Sequence, residues 1–121
     1  MRYTPATMTD CLFCKIADGR IPAKKVHEDA DTVAFEDINP QAPVHLLVIP
    51  RLHVPRTTEL TPEHDAVVGK LTRVAARLAA ERGVAEGGFR VVMNTNADAG
   101  QTVFHLHLHL LGGRKLGWPP G

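Results

Sequence analysis

The run His105-Leu106-His107-Leu108-His109-Leu110-Leu111 constrains this chain more than any other segment. Strict alternation of imidazole and leucine has a period of two, so as a strand it sends three histidines to one face and leucines to the other. Same-face neighbours on a strand lie roughly 6.5–7 Å apart, close enough for three rings to line one small site. Imidazole has the unperturbed pKa nearest neutrality, about 6.5, so such a row suits nucleophilic attack, proton transfer or metal ligation. The plain alternative is a merely polar edge-strand face.

The chain has 121 residues, 44% of them hydrophobic, which suits one domain with one core. Its 14 basic and 13 acidic residues leave a net charge of +1. That is no broad footprint for nucleic acid or a membrane surface, so an anionic ligand has to be held locally. No segment approaches the roughly 18 consecutive apolar residues of a membrane span, and Met1 to Asp10 lacks the apolar run of a secretory signal. A cytoplasmic protein is expected. The two cysteines, Cys11 and Cys14, have CxxC spacing, which in an intracellular chain reads as metal or redox chemistry before a structural disulfide. No P-loop and no GxGxxG motif occurs, so triphosphate cradling and Rossmann-type dinucleotide binding have no support.

Pattern and punctuation predict an α+β order. Leu12 to Ala17 reads as a short helix ended near Gly19, and residues 25–28 and 32–36 as a hairpin turning through Asp29-Ala-Asp31. Residues 37–43 are turn-rich. Val44 to Ile49, closed by Pro50, reads as a buried central strand interrupted only by His45. Thr61 is a plausible N-cap before Pro62, and the spacing Val67, Leu71, Val74, Ala75, Leu78 predicts a helix of about 20 residues running to Gly83. Phe89 to Asn94 reads as a strand, Thr95 to Gln101 as a polar loop and Thr102 to Leu111 as the histidine strand. Gly112-Gly113 opens a tail ending Trp118-Pro-Pro-Gly121. His27 and His64 read as incidental, and Lys24, Lys25, Arg51 and Arg56 as scattered solvated charges.

These residues together resemble the histidine triad (HIT) family, whose signature is three histidines alternating with apolar residues. The landmarks follow in order from Cys11-Leu-Phe-Cys-Lys-Ile16, Ala34-Phe-Glu-Asp-Ile38 and Pro40-Gln-Ala-Pro to His45-Leu-Leu-Val-Ile-Pro50, His53 and Asn94. They continue through Gly100-Gln-Thr-Val-Phe-His105 and Leu111-Gly-Gly-Arg114. The ending Trp118-Pro-Pro-Gly121 resembles the nucleotide-binding (Hint-like) branch, whose members hydrolyse purine nucleoside phosphoramidates. The resemblance implies a HIT-like α+β fold with an antiparallel sheet, one long helix and a short amino-terminal helix. It divides the chain into a flexible extension (1–10), a HIT domain (11–114) and a tail near the active site (115–121). It also implies a homodimer whose sheets join, with the long helix and residues 89–94 at the contact.

By the same resemblance His107 is the nucleophile, His109 and His45 hold the phosphate, and Gln101 and Thr102 donate to phosphate oxygens. Thr102 stands where the branch commonly has serine. Asn94 and Gly100 fall near the phosphate, Asp37 at the ribose hydroxyls, and Phe13, Ile16, Phe35 and Ile38 at a purine slot, with Trp118 close by. Residue chemistry alone leaves Asp37 as an Asx turn, Asn94 as a turn residue and the four apolar side chains as ordinary core. Cys11, Cys14, His53 and His105 match a structural zinc site, and no catalytic metal is required. The ligand classes implied are purine nucleoside monophosphates, their phosphoramidates and adenylates. Other readings are a nucleotide-binding regulator with weak catalysis, a HIT-type dinucleoside polyphosphate hydrolase or nucleotidyl transferase, and a hydrolase using the HxHxH strand to ligate a metal.

Overall fold

The alternating and punctuated segments become five strands and one long helix. The computed structural model describes residues 10–121, so the expected extension over 1–10 lies almost wholly outside the described residues. Helix α1 (Leu12–Ala17) precedes β1 (Lys25–Glu28), β2 (Thr32–Glu36) and β3 (Val44–Pro50). Then come α2 (Asp65–Glu81), β4 (Phe89–Val92), the four-residue α3 (Asn96–Ala99) and β5 (Leu108–Gly112). The sheet order is β1-β2-β3-β5-β4, antiparallel at every pairing. Among the described residues, no helix is long and apolar enough to cross a membrane.

Strand β3 is an almost unbroken apolar run because both of its faces are covered. Leu46 and Val48 join Leu106, Leu108 and Leu110 against Leu71, Val74, Ala75, Leu78 and Ala79 of α2. The α2 residues recur at helical spacing and so form one buried stripe. On the other face Leu47 and Ile49 pack with Val33, Phe35, Phe13, Ile16 and Ala17, which seats α1 on the side away from α2. The histidines emerge on the α1 side.

The long helix opens as a single 3-10 turn, Pro62–His64, before α2 proper, with the Thr61 N–H donating to His64 Nδ1 at 2.9 Å. The β1–β2 turn is built around Asp29, whose Oδ1 accepts the N–H groups of Asp31 and Thr32, both at 2.8 Å. Like His64, His27 and Arg51 were expected to be incidental and are part of this structure. His27 donates to Asp29 at 2.7 Å. Arg51 donates to the carbonyls of Asp29 and Ala17 at 2.8 and 2.7 Å, tying the end of α1 to the hairpin.

Three expected boundaries are corrected. Strand β4 ends at Val92 rather than Asn94, the loop after it contains the turn of α3, and the histidine strand begins at Leu108 rather than Thr102. The last has a clear cause. Val48 pairs with Leu108, so an extended ladder would next require Pro50, which has no N–H to give. Leu106 N–H turns instead to the Val54 carbonyl at 2.6 Å. Alternation still places the side chains, because Leu106, Leu108 and Leu110 all enter the α2 core.

Beyond β5 the chain runs tightly against its neighbours. A Cβ at Gly112 would lie 2.9 Å from Val84, and at Gly113, where φ is +92°, 2.9 Å from Pro43. Gly113→Ala is therefore expected to destabilise the fold by about 1–3 kcal/mol through contact and backbone strain together, read as a lower thermal midpoint.

Candidate active site

The site is assembled along β3 and β5, from His45 near the start of β3 to His107 just before β5, on the face that α1 covers. His107 is 7% exposed, and its ring lies 5.0 Å from that of His109 and 5.1 Å from Phe13. Phe13 also meets the His105 ring at 6.0 Å. The three histidines thus share one side of the chain, although only His109 belongs to the ladder.

Hydrogen bonds assign the protons. His107 Nδ1 lies 2.8 Å from the His105 carbonyl and so donates to it, leaving Nε2 with a lone pair. Gln41 N–H donates to His45 Nδ1 at 3.0 Å, so the His45 proton sits on Nε2, 2.9 Å from His109 Nδ1. His109 then keeps its own proton on Nε2. Burial lowers the pKa of His107, opposed by the His105 carbonyl and Asp37, and lowers that of His45. Burial beside His107 and His45 brings His109 down to about 4. All three rings are neutral near pH 7, as a nitrogen nucleophile requires.

Behind this row, Cys11, Cys14, His53 and His105 bring four donor atoms within 4.8 Å of one another. His105 Nδ1 lies 3.3 Å from Cys11 Sγ, 3.5 Å from Cys14 Sγ and 3.3 Å from His53 Nδ1. His53 Nδ1 is 3.3 Å from Cys14 Sγ. Tetrahedral zinc with ordinary bond lengths sets edges of about 3.4 Å for N···N and about 3.6 Å for N···S. The donor set therefore fits that ion. His105 Nε2 donates to the Pro50 carbonyl at 2.8 Å, the outer bond that orients a ligating imidazole and frees its other nitrogen. Burial, with Cys11 alongside, pushes the Cys14 thiol up to about 12, so without a cation it stays protonated.

The remaining expected site residues are arranged less uniformly. Asp37 accepts Asn39 N–H at 2.8 Å, the Asx turn that sequence chemistry allowed, while its other oxygen lies 3.4 Å from His45 Nε2. Phe13, Ile16 and Phe35 are buried core residues, whereas Ile38 is fully exposed. Asn94 is half-buried just past β4. Gly100 has φ of +93° at the end of α3. Gln101 braces this loop: its amide donates to the Pro55 and Val103 carbonyls at 2.8 and 3.1 Å and accepts Asn96 N–H at 2.8 Å. Thr102 is exposed and lines, with Cys11, Leu12, His53 and Phe104, a pocket of about 350 Å³ beside the cysteine–histidine cluster. Trp118 is 83% exposed, and its segment is held by Arg90, which donates to the Gly117 carbonyl at 2.7 Å. Sequence reading missed the main-chain groups that fix the protons, namely Gln41 N–H and the carbonyls of His105 and Pro50. Residue types carry no signal for them.

Comparison with known proteins finds relatives along most of the chain. The family model described as the HIT domain matches residues 18–116. An uncharacterized HIT-like protein of Synechocystis is 51% identical over 93% of this chain and 97% of its own length. The purine nucleoside phosphoramidase of Escherichia coli K12 is 45% identical over 89% of this chain and 91% of its own length. A HIT family hydrolase from Legionella pneumophila superposes with a TM-score of 0.91 at 48% identity, covering 93% of this chain and all of that one.

Proposed function

The chain belongs to the HIT family, and from that premise we propose that it hydrolyses the P–N bond of purine nucleoside 5′-phosphoramidates, with aminoacyl-adenylates or adenylylated lysine as related substrates. The observation that carries the reading is His107, with Nδ1–H committed to the His105 carbonyl and Nε2 left as a lone pair beside His109. That lone pair attacks phosphorus, forming a P–Nε2 bond as the P–N bond to the leaving amine breaks. His109 Nε2–H hydrogen-bonds the departing nitrogen, which takes its proton from solvent and leaves as the amine. Water then attacks phosphorus, the P–Nε2 bond breaks, and the proton the attacking water sheds returns to solvent, leaving a nucleoside monophosphate. Thr102 donates near the phosphate on the loop that Gln101 braces, with Asn94 and Gly100 alongside, Asp37 holds the ribose, and Phe13, Ile16, Phe35 and Ile38 border the base. A metal-ligating role for the histidine row is disfavoured by the proton arrangement. His109 accepts at Nδ1 from His45 and carries its own proton on Nε2, so beside His107 it offers an ion no second lone pair.

Cys11, Cys14, His53 and His105 are assigned to one structural zinc, on the strength of their converging donors. When bound, zinc would hold both sulfurs as thiolates and clip α1 to the segments carrying His53 and His105. It would also withhold His105 from the chemistry. Assembly into a homodimer is part of the same reading, supported by β4, an edge strand with Phe89 and Val91 exposed.

The test is turnover across nucleoside phosphoramidates and dinucleoside polyphosphates. The phosphoramidates are expected to lead by about tenfold or more in kcat/KM. Nucleotide binding without turnover would overturn the assignment. Deleting residues 116–121 is expected to change relative rates among leaving amines several-fold while leaving AMP affinity within about twofold, and an unchanged leaving-group profile would remove the tail from the site.

A further inference from the structure

The loop between β2 and β3 touches the histidine row through its main chain, and a residue beyond β5 holds that loop. Asp37 N–H donates to the His45 carbonyl at 3.0 Å and closes the loop at its base, and the Asp37 carboxylate takes Asn39 N–H. Gln41 Nε2 donates to the Asn39 carbonyl at 3.0 Å. The Gln41 carbonyl accepts from Arg114 Nε at 3.1 Å, while Arg114 Nη1 donates to the Lys115 carbonyl at 2.9 Å. Gly113, pressed against Pro43 without room for a Cβ, brings Arg114 to this position. The guanidinium is thereby fixed from two sides, and Gln41 with it.

We propose that Arg114 is a positioning residue for the triad: by holding Gln41 it keeps Gln41 N–H on His45 Nδ1, and through the His45–His109 bond keeps His109 an Nε2–H donor. The reasoning is a chain of single-proton choices. An N–H facing His45 Nδ1 excludes a proton there, so the His45 proton sits on Nε2, and that proton facing His109 Nδ1 forces the His109 proton to Nε2. His109 Nε2 makes no hydrogen bond within the described residues, and its half-buried ring lies beside His107. Were Gln41 to swing away, Nδ1 would be open to a proton and only the Asp37 carboxylate, 3.4 Å from Nε2, would still draw it to the other nitrogen, so His45 would divide between two tautomers and His109 would lose its fixed role. Arg114 touches none of the three rings, and its effect passes entirely through Gln41. The kinetic half of the proposal rests on the phosphoramidase reading, whereas the proton assignment does not.

The experiment therefore has two readouts on full-length Arg114→Ala and Arg114→Lys proteins. Nitrogen-15 correlation spectra of the imidazoles, taken at mildly alkaline pH without substrate, are expected to show wild-type His45 and His109 each as a single Nε2–H tautomer. In Arg114→Ala, His45 becomes a mixture of the two, with partial return in Arg114→Lys. With a nucleoside phosphoramidate, kcat is expected to fall about tenfold or more in Arg114→Ala while KM stays within about twofold, because binding groups are untouched. An unchanged His45 tautomer in Arg114→Ala, or kcat within about twofold of wild type, would overturn the proposal. Wild-type protein that turns over no phosphoramidate would overturn the functional reading instead, with the tautomer result still deciding the positioning role. Should Arg114→Ala fail to fold, Arg114→Met decides, because it keeps the apolar stem and removes the donor: a wild-type His45 tautomer and kcat in that folded variant would overturn the proposal.

Discussion

Replacing His107 by alanine is expected to lower kcat for a purine nucleoside phosphoramidate by about four orders of magnitude, roughly 5.5 kcal/mol in barrier, because the lone pair that starts the reaction is removed. AMP affinity is expected to hold within about threefold, since the other groups assigned to the phosphate and ribose remain. The fold should survive as well. His107 is buried against Phe13, but its ring hydrogen-bonds the carbonyl of its own near neighbour His105, so its loss breaks no bond between separate elements. Retention of more than about a tenth of the wild-type rate, a barrier change of only about 1.4 kcal/mol, would sink the covalent mechanism.

The second large effect concerns the cysteine–histidine cluster. Protein purified without chelators is expected to carry about one zinc per chain, and Cys14→Ser to lose it, since metal-binding energy at such a site is folding energy. The loss in stability should be on the order of 3 kcal/mol or more, which for a domain of this size lowers the thermal midpoint by about 10 °C. A strong chelator should bring the wild-type midpoint toward that of the variant. Elemental analysis finding no zinc, or a Cys14→Ser protein melting with wild type, would remove the metal and leave the histidine chemistry standing.

Much of this was legible in the chain because period and punctuation are local properties. The hairpin at Asp29, the central strand closed by Pro50, the start of the long helix at Pro62 and the segregation of leucine from histidine at 105–111 all follow from neighbouring residues. The reach of the ladder did not. Whether residues 102–107 pair with a strand depends on Pro50, more than fifty positions earlier, having no N–H for them. The cysteines and their histidine partners could be named from spacing and resemblance, but the convergence of their donor atoms is a product of the fold. Least legible were the roles of long polar side chains. Arg51 looks like a solvated charge in sequence and ties α1 to the hairpin. Gln101 looks like a phosphate donor, and its amide instead satisfies loop carbonyls. The protons of His45 and His107 are fixed by main-chain groups, which every residue possesses and no pattern reveals.

The central claim is that phosphorus is attacked twice, first by His107 and then by water. The stereochemical course at phosphorus tests this without requiring the intermediate to accumulate. A nucleoside phosphoramidate made chiral by sulfur at phosphorus, hydrolysed in isotopically labelled water, is expected to yield nucleoside phosphorothioate with retained configuration, because two in-line displacements each invert. Net inversion would mean that water attacks phosphorus directly, and the nucleophilic role of His107 would be contradicted.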